Sequence, residues 1–441
     1  MTPMSLQYKK SRFNVELKEN SHTYLFNSYT GALADIEAED IILYTQGNFE
    51  KLAYLDRWLD MGFLVPRKLN ETKMLKLMFE KNRFKQDLML TVAPTLKCNC
   101  NCDYCFQEKS PIKMSPDIYA AIQDMIIGAR AVSSSPVSLA WYGGEPFLCL
   151  EEIADFTRNL TRVLDRKSLH YSFVSNGTIH NPEALARISK NASIRGIQVS
   201  LDGPKQYHDK HRVHHDGSGT YDEIMANLPY LSKYGKLSIR INVDMHNLDM
   251  MEELFIDLEH KLTFKPDIYF SNIQRCNSNV KSDLQRYIGP IRFWESRNQL
   301  SKIAAKYNFS VQSFPRCFMG CTYTAQNAFV IDPSGNCYKC WDFIGNPEYV
   351  VGNILDYESI YQNPEYLREL SFNPYEAQDC PQCNMLPLCK SGCPAGMNGD
   401  LPGTDEHMSC LEIQNIFKRC IKEQIKLNEH NDMEVNHESI S

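Results

Sequence analysis

Apolar and polar residues alternate over residues 13–17 and again over 23–27, and the turn-forming residues Lys18, Glu19, Asn20 and Ser21 separate the two runs. Period-two alternation on both sides of a polar turn predicts a hairpin of two short strands. Helical spacing follows at 38–45 and 49–61, with Gly62 placed as a C-cap. From residue 88 the pattern changes. Strand-like runs at 88–93, 137–142, 170–175, 194–201, 237–243 and 268–273 alternate with helical segments, one opening at Ser115-Pro116 and another covering 220–233. Six strand–helix units in succession predict an α/β fold with a parallel sheet curled into a partial (β/α)6 barrel. Further on, residues 328–338 read as a hairpin turned at Asp332-Pro333-Ser334-Gly335, and beyond Cys420 a charged helix runs into a polar tail.

A chain of 441 residues, 43% hydrophobic, is long enough for two to three domains with buried cores. The divisions expected are 1–86, 87–315, 316–425 and a tail at 426–441. A net charge of −7 argues against a general nucleic-acid binder, which would carry a basic stripe. No apolar run is long enough to span a membrane. The residues after Met1 have no signal-peptide core, so the expected location is cytoplasmic.

Cysteine usage narrows the chemistry. Of 16 cysteines, ten fall between 317 and 420, and four lie between 98 and 105. Clustered cysteines without an export signal read as metal ligands rather than disulfides. Cys98, Cys102 and Cys105 stand at C-x3-C-x2-C spacing just after the first barrel strand, where the loops of such a barrel carry chemistry. Three thiolates on one loop can hold three corners of a [4Fe–4S] cube and leave the fourth iron free to bind a small molecule. A structural zinc site, built from paired ligands, fits that spacing poorly. Other strand ends carry marked residues: Gly143-Gly144-Glu145-Pro146, Ser175-Asn176-Gly177, and Ser200-Leu201-Asp202-Gly203-Pro204 followed by Arg212. The histidines at 208–215 read as an ordinary polar loop and helix start.

The three cysteines with the GGEP, SNG and SLDGP stretches resemble the radical S-adenosyl-L-methionine (SAM) superfamily over roughly residues 88–280. The resemblance implies that the open iron chelates SAM. It further implies that Gly143, Gly144 and Glu145 hold the amino end and that Ser200 and Arg212 hold the ribose and carboxylate. Tyr104 would lie by the adenine, and Ser175 and Asn176 would line the cofactor site. In the C-terminal third, Cys321, Gly335 and Cys340, then Cys380-x2-Cys383-x5-Cys389-x3-Cys393 and Cys410, resemble the SPASM extension with its two auxiliary [4Fe–4S] clusters.

By that likeness Cys380, Cys383, Cys389 and Cys410 close one auxiliary cluster, and Cys321, Cys340 and Cys393 hold the other. Cys317, Cys337 or an open iron completes the inner set. Three clusters and SAM are thus the implied cofactors, and Cys100, Cys149, Cys276, Cys337 and Cys420 default to buried thiols.

The activity implied is reductive cleavage of SAM to a 5′-deoxyadenosyl radical that abstracts hydrogen from a ribosomally made peptide or protein. A flavodoxin or ferredoxin would donate the electron. Installation of a thioether or carbon–carbon cross-link is the first reading, and residues 1–86, which resemble a winged-helix module, would then bind a leader or simply cap the barrel. Anaerobic sulfatase maturation to formylglycine is the rival. Its enzymes place an aspartate directly after the residue matching Cys340, where this chain has Trp341 and then Asp342. A non-catalytic iron–sulfur electron carrier is the reading from another class.

Overall fold

The computed structural model describes residues 7–273, 286–311, 321–400 and 409–438, with side chains to 426. The six expected strands all form: β6 (Met89–Val92), β7 (Val137–Trp141), β8 (Leu169–Ser175), β9 (Ser193–Ser200), β10 (Lys236–Val243) and β11 (Asp267–Asn272). They pair in chain order, each parallel to the next. The helices between them include α4 (Pro116–Val132), α5 (Leu150–Leu160), α6 (Pro182–Asn191), α7 (Lys205–His211), α8 (Tyr221–Leu231) and α9 (Met251–Lys261). Ser115 caps α4 by accepting from the Ile118 N–H, with Pro116 in the first turn. α10 (Pro290–Lys306) follows β11. The sheet stays open.

Its two faces differ in chemistry. Leu90 and Val92, Leu139 and Trp141, Tyr171 and Phe173, Ile197 and Val199, and Ile239 and Ile241 are buried in the main core with apolar residues of the flanking helices. Their neighbours Thr91, Ala140, Ser172, Gln198, Ser200 and Arg240 are only half-buried. Parallel strands covered on both faces read as continuous apolar runs. Here the alternation leaves one face polar, the face a ligand can use.

Beyond β6 the sheet continues through β12 (Ala328–Ile331), parallel to β6, then β13 (Asn336–Tyr338) and β14 (Gly352–Asn353). The expected hairpin is therefore an extension of the barrel sheet, which fixes Cys340 relative to β6. Its turn closes by the Gly335 N–H to the Asp332 carbonyl, with Gly335 at φ 82°.

The N-terminal module contains more than a hairpin. β2 (Asn14–Glu19), β3 (His22–Asn27) and β4 (Leu33–Ile36) form a three-stranded antiparallel sheet, while β1 (Tyr8–Lys10) pairs with β5 (Leu64–Pro66). α1 (Ala38–Gln46) and α2 (Leu55–Asp60) pack on one face around Leu25, Tyr44, Trp58 and Phe63. The helix expected over 49–61 is split, because Tyr54 takes a left-handed conformation (φ 53°) after the short turn Phe49–Lys51. α3 (Glu71–Arg83), capped by Asn70, leads to the barrel. The C-terminal helix begins at Cys410, eleven residues before the expected start at Ile421, and Cys420 is buried within its length.

Phe173→Ala removes a ring that is fully buried and edge-on to Phe147. It is expected to lower stability by about 3–5 kcal/mol, read from denaturant unfolding of the free protein.

Candidate active site and cluster ligands

The loop carrying Cys98, Cys102 and Cys105 leaves the C-terminal end of β6 and is gripped from several directions. The Asn101 N–H donates to the Val213 carbonyl (2.6 Å), and the Asp103 N–H donates to the His211 carbonyl (3.3 Å). The segment after α7 thus lies beside the loop like a second strand. The glycines of the GGEP stretch provide the closest approach. A Cβ on Gly144 would stand 2.3 Å from the Lys97 carbonyl, and one on Gly143 (φ +114°) would stand 2.5 Å from that of Thr95. Without side chains the two backbones join directly, Gly144 N–H to the Thr95 carbonyl and Glu145 N–H to that of Lys97, both 3.0 Å.

The remaining strand ends also serve the loop. Glu145 is buried and accepts from the Phe147 N–H, the Ser175 hydroxyl and the Asn176 N–H. Burial pushes its carboxyl up to about 7 against the pull of those donors. Its role in the fold is thus to join the ends of β7 and β8. The Asn176 amide donates to Asn99 Oδ1 (2.8 Å), Cys100 Sγ (3.2 Å) and Cys98 Sγ (3.8 Å). Ser200 ends β9, in register with Arg240.

Tyr104 lies between two guanidinium groups, those of Arg212 and Arg286, each 5.9 Å from its ring centre. Its hydroxyl donates to Asp202 and accepts from Arg212 Nη1 (2.5 Å). Asp202 Oδ1 in turn accepts from the Asn242 backbone and side chain. Asp202, Asn242 and Arg286 were missed as site residues, although Asp202 stands within the SLDGP stretch. The signal available was a polar residue at a strand end. His208 is fully buried between the Asp202 N–H and Thr220, which pushes its pKa down to about 3. The bland reading of that residue is consistent with this placement.

The donor set fits an iron–sulfur cluster and a cofactor beside it. Cys102 feels the charges of both Cys105 and Cys98, so the three thiols stand near one another, as a cube held at three corners requires. Hydrogen bonding from Cys100 lowers the Cys98 thiol to about 6, whereas burial raises Cys102 to about 11. Arg212, 8% exposed, keeps its Nε without a hydrogen-bond partner, which leaves a buried donor for an anionic ligand group.

Six of the described C-terminal cysteines lie in two neighbourhoods. Burial raises the Cys321 and Cys340 thiols, and the charge of the nearby Cys393 adds to both. Burial likewise raises Cys389 to about 11, and the charges of the nearby Cys383 and Cys380 add to it. Gln414, one turn beyond Cys410, donates to Cys383 Sγ (3.7 Å), which brings the start of the C-terminal helix to the second set. A cavity of about 280 Å³ touches both sets at Cys321 and Cys389. Cys337 is fully buried in the main core, while Cys340 packs in a separate cluster with Tyr338 and Phe343. The hairpin therefore turns Cys337 away from the inner set. Cys317 and Cys276 lie outside the described residues. All fourteen described cysteines are free thiols.

An open parallel sheet with a three-thiol loop after its first barrel strand defines an α/β protein built around an iron–sulfur site. The sequence model of the radical SAM superfamily matches residues 92–258, the stretch that holds β7 to β10 and the three-cysteine loop, and a [4Fe–4S] cluster and SAM are the cofactors that match implies. It is 24% identical over 364 residues to a cysteine-type anaerobic sulfatase-maturating enzyme of Clostridium novyi (strain NT), spanning 76% of this chain and 95% of that one. In fold it is similar to native anSMEcpe with bound AdoMet (TM-score 0.63, 20% identity, 78% of this chain and 99% of the other). It is also similar to Streptococcus suis SuiB bound to precursor peptide SuiA (TM-score 0.54, 14% identity, 89% and 97%). No helix among the described residues is long and apolar enough to cross a membrane.

Gly144→Ala is expected to displace the loop and cut SAM binding by about 10-fold or more. Calorimetric SAM titration checks this. Glu145 gives a pH test. An acid whose folded pKa (about 7) exceeds its ordinary value of 4.5 costs stability as pH rises through that window. Unfolding of the free protein should weaken over that range, and Glu145→Gln should flatten the slope.

Proposed function

We propose that this chain is a radical SAM maturase that oxidises a residue of a peptide or protein substrate, with formylglycine formation at a cysteine or serine as the best-supported reaction. The observation that carries the reaction is the carboxylate of Asp342, 3.8 Å from Cys340 Sγ. Oxidising a carbon that bears a thiol or hydroxyl requires loss of a hydrogen atom, an electron and the S–H or O–H proton, so a base must stand by. In the resembling enzymes the aspartate directly follows the inner cysteine. Here the short helix Trp341–Phe343 turns Asp342 back to Cys340, while Trp341 swings out to stack on Tyr142, 6.1 Å between ring centres. Asp342 also feels the charge of Arg240 on the polar face of the sheet. The intervening Trp341 thus leaves the carboxylate beside the inner cysteines, and the sulfatase-maturating relative supports the same reading.

Cys98, Cys102 and Cys105 would hold the first cluster, with Arg212 and the backbone of Gly143 and Gly144 beside SAM. Cys321, Cys340 and Cys393, and Cys380, Cys383, Cys389 and Cys410, would hold two auxiliary clusters, with Cys317 the remaining candidate for the inner set. When bound, these groups supply hydrogen-atom abstraction and one-electron transfer. Asp342 takes the substrate proton, and the polar sheet face with Tyr142 and Trp341 bounds the entrance. The donor protein would be a flavodoxin or ferredoxin.

Cross-link formation on a leader-guided peptide is the second reading, and one observation favours it. Among the described residues strand β4 pairs only with β3. The Asn27 N–H bonds the Ala32 carbonyl, so by the antiparallel alternation Leu33 and Asp35 turn their backbone groups outward. A groove bounded by Leu33, Ile36, Tyr54, Trp58 and Phe63 runs along that edge, suited to strand addition by an extended leader. The SuiB likeness covers more of the chain than the anSMEcpe likeness, 89% against 78%.

Mass spectrometry on candidate peptides separates the two. An aldehyde trapped by hydrazine identifies formylglycine, and loss of two hydrogens with sulfur retained identifies a cross-link. Cys102→Ala is expected to abolish 5′-deoxyadenosine formation, and if wild-type protein with reductant forms none, the enzymatic reading fails. Asp342→Asn is expected to lower product formation by about 100-fold or more while SAM cleavage persists. Unchanged product would remove Asp342 from the mechanism. Asp35→Pro, which deletes an outward N–H, should weaken leader affinity in fluorescence anisotropy and leave a leaderless substrate's turnover alone.

A further inference from the structure

We infer that Arg286 is a positioning residue that sets the turn between Cys102 and Cys105, acting through Asp103; the inference rests on those cysteines holding the first cluster. Only Asp103 and Tyr104 separate the two cysteines. Tyr104 is fixed from one side by Asp202, Arg212 and Asn242. Asp103 is fixed from the other. Its Oδ2 accepts from Arg286 Nη1 and from the His211 ring, both at 2.7 Å.

Arg286 is 7% exposed, and its fork reaches two further partners. Nε donates to Asp244 Oδ2 (2.7 Å) and Nη2 to the Tyr207 hydroxyl (3.1 Å), which itself donates to Asp244 (2.5 Å). Asp244, fully buried just past the end of β10, uses its other oxygen to accept the His246 and Asn247 N–H groups. The Asn247 amide returns to the carbonyls of Asp202 and Asn242. A closed circuit of hydrogen bonds therefore runs from Asp103 through Arg286, Asp244, Asn247 and Asp202 to Tyr104. Both residues of the x2 gap are anchored in it, and Arg286 is its only link to Asp103 apart from His211 among the described residues. A lysine keeps the charge but cannot span three partners. The thiol turn then loses its fixed position relative to Arg212 and to the strand ends where SAM would lie.

Arg286→Met would strand the buried Asp244 carboxylate, so the test uses Arg286→Lys and Asp103→Asn, the second leaving the Arg286–Asp244 pair intact. In full-length reconstituted protein each variant is expected to raise the SAM KM about tenfold, with a smaller effect on kcat. Each should also reduce the SAM-induced change in the EPR spectrum of the reduced cluster. The double variant should be no worse than either single, because both cut the same link. Unfolding of the free protein should match wild type for Asp103→Asn. Wild-type KM and EPR response in Asp103→Asn, or additive losses in the double variant, overturn the inference. If wild-type protein gives no SAM-induced EPR change, the cluster assignment itself fails, and the two failures are distinct.

Discussion

Three cysteines leave one corner of a cube open only while the backbone between them is held still. A mobile loop would let a neighbouring side chain close the corner, and the chain has such a candidate in Cys100, buried one residue from Cys98's neighbour Asn99. The structure meets this constraint from outside the loop. Gly143 and Gly144 bring the end of β7 within direct hydrogen-bonding distance of residues 95–97, and Asn176 from β8 takes hold of Asn99, Cys98 and Cys100. The segment after α7 pairs with residues 100–103. The contacts come from two strand ends and from the segment at the end of α7, so no single loop movement releases the cysteines. Supporting contacts of this kind orient ligands as firmly as the ligand identities do.

The sheet makes this possible through its alternation. Apolar residues on one face bind it to the helices, and the same strands present Thr91, Gln198, Arg240 and Asn242 on the other. Burial on one face alone gives the strands their fixed order and register, since a one-residue slip would turn every apolar side chain into the polar space. Stability and chemistry therefore occupy opposite faces of one element. Glu145 and Asp202 are fully buried and satisfied by several donors each, and each would be costly as an unpaired group.

Cysteine spacing, strand order and the 328–338 hairpin were legible because each depends on local sequence. Residues whose meaning depends on distant partners were not. Arg286 meets Asp103 across 183 positions, and nothing near it marks the pairing. Glu145 and Asn176 stand at expected strand ends, yet their partners are other parts of the fold. The four residues of β4 offer too short an alternation to read as a strand, and β3 supplies its pairing. The helix break at Tyr54 follows from packing of Trp58 onto Tyr44 (5.2 Å between ring centres), which the periodicity of 49–61 does not encode. Cys337 shows the converse: spacing alone left it as a rival ligand, and the pleat of β13 turned it into the core.

The N-terminal sheet is built into the cysteine-rich C-terminal part of the molecule. Val15, Leu17, Tyr24 and Phe26 pack against Met385 and Leu388, which neighbour the outer cysteines, and against Phe417, Ile421 and Ile425 of the C-terminal helix. Asn384, next to Cys383, donates to the Asn14 carbonyl (3.2 Å), and Lys422 pairs with Glu19 (2.7 Å). Deleting residues 1–86 would therefore uncover apolar surface beside Cys383 and Cys389, and loss of activity after such a deletion would report damage to that cysteine-rich region as much as loss of a peptide site. Only a change confined to the open edge of β4 can separate the two. That edge lies on the strand farthest in the sheet from β2, the one packed on the C-terminal helix, so a change confined to it leaves the packing of β2 on that helix in place.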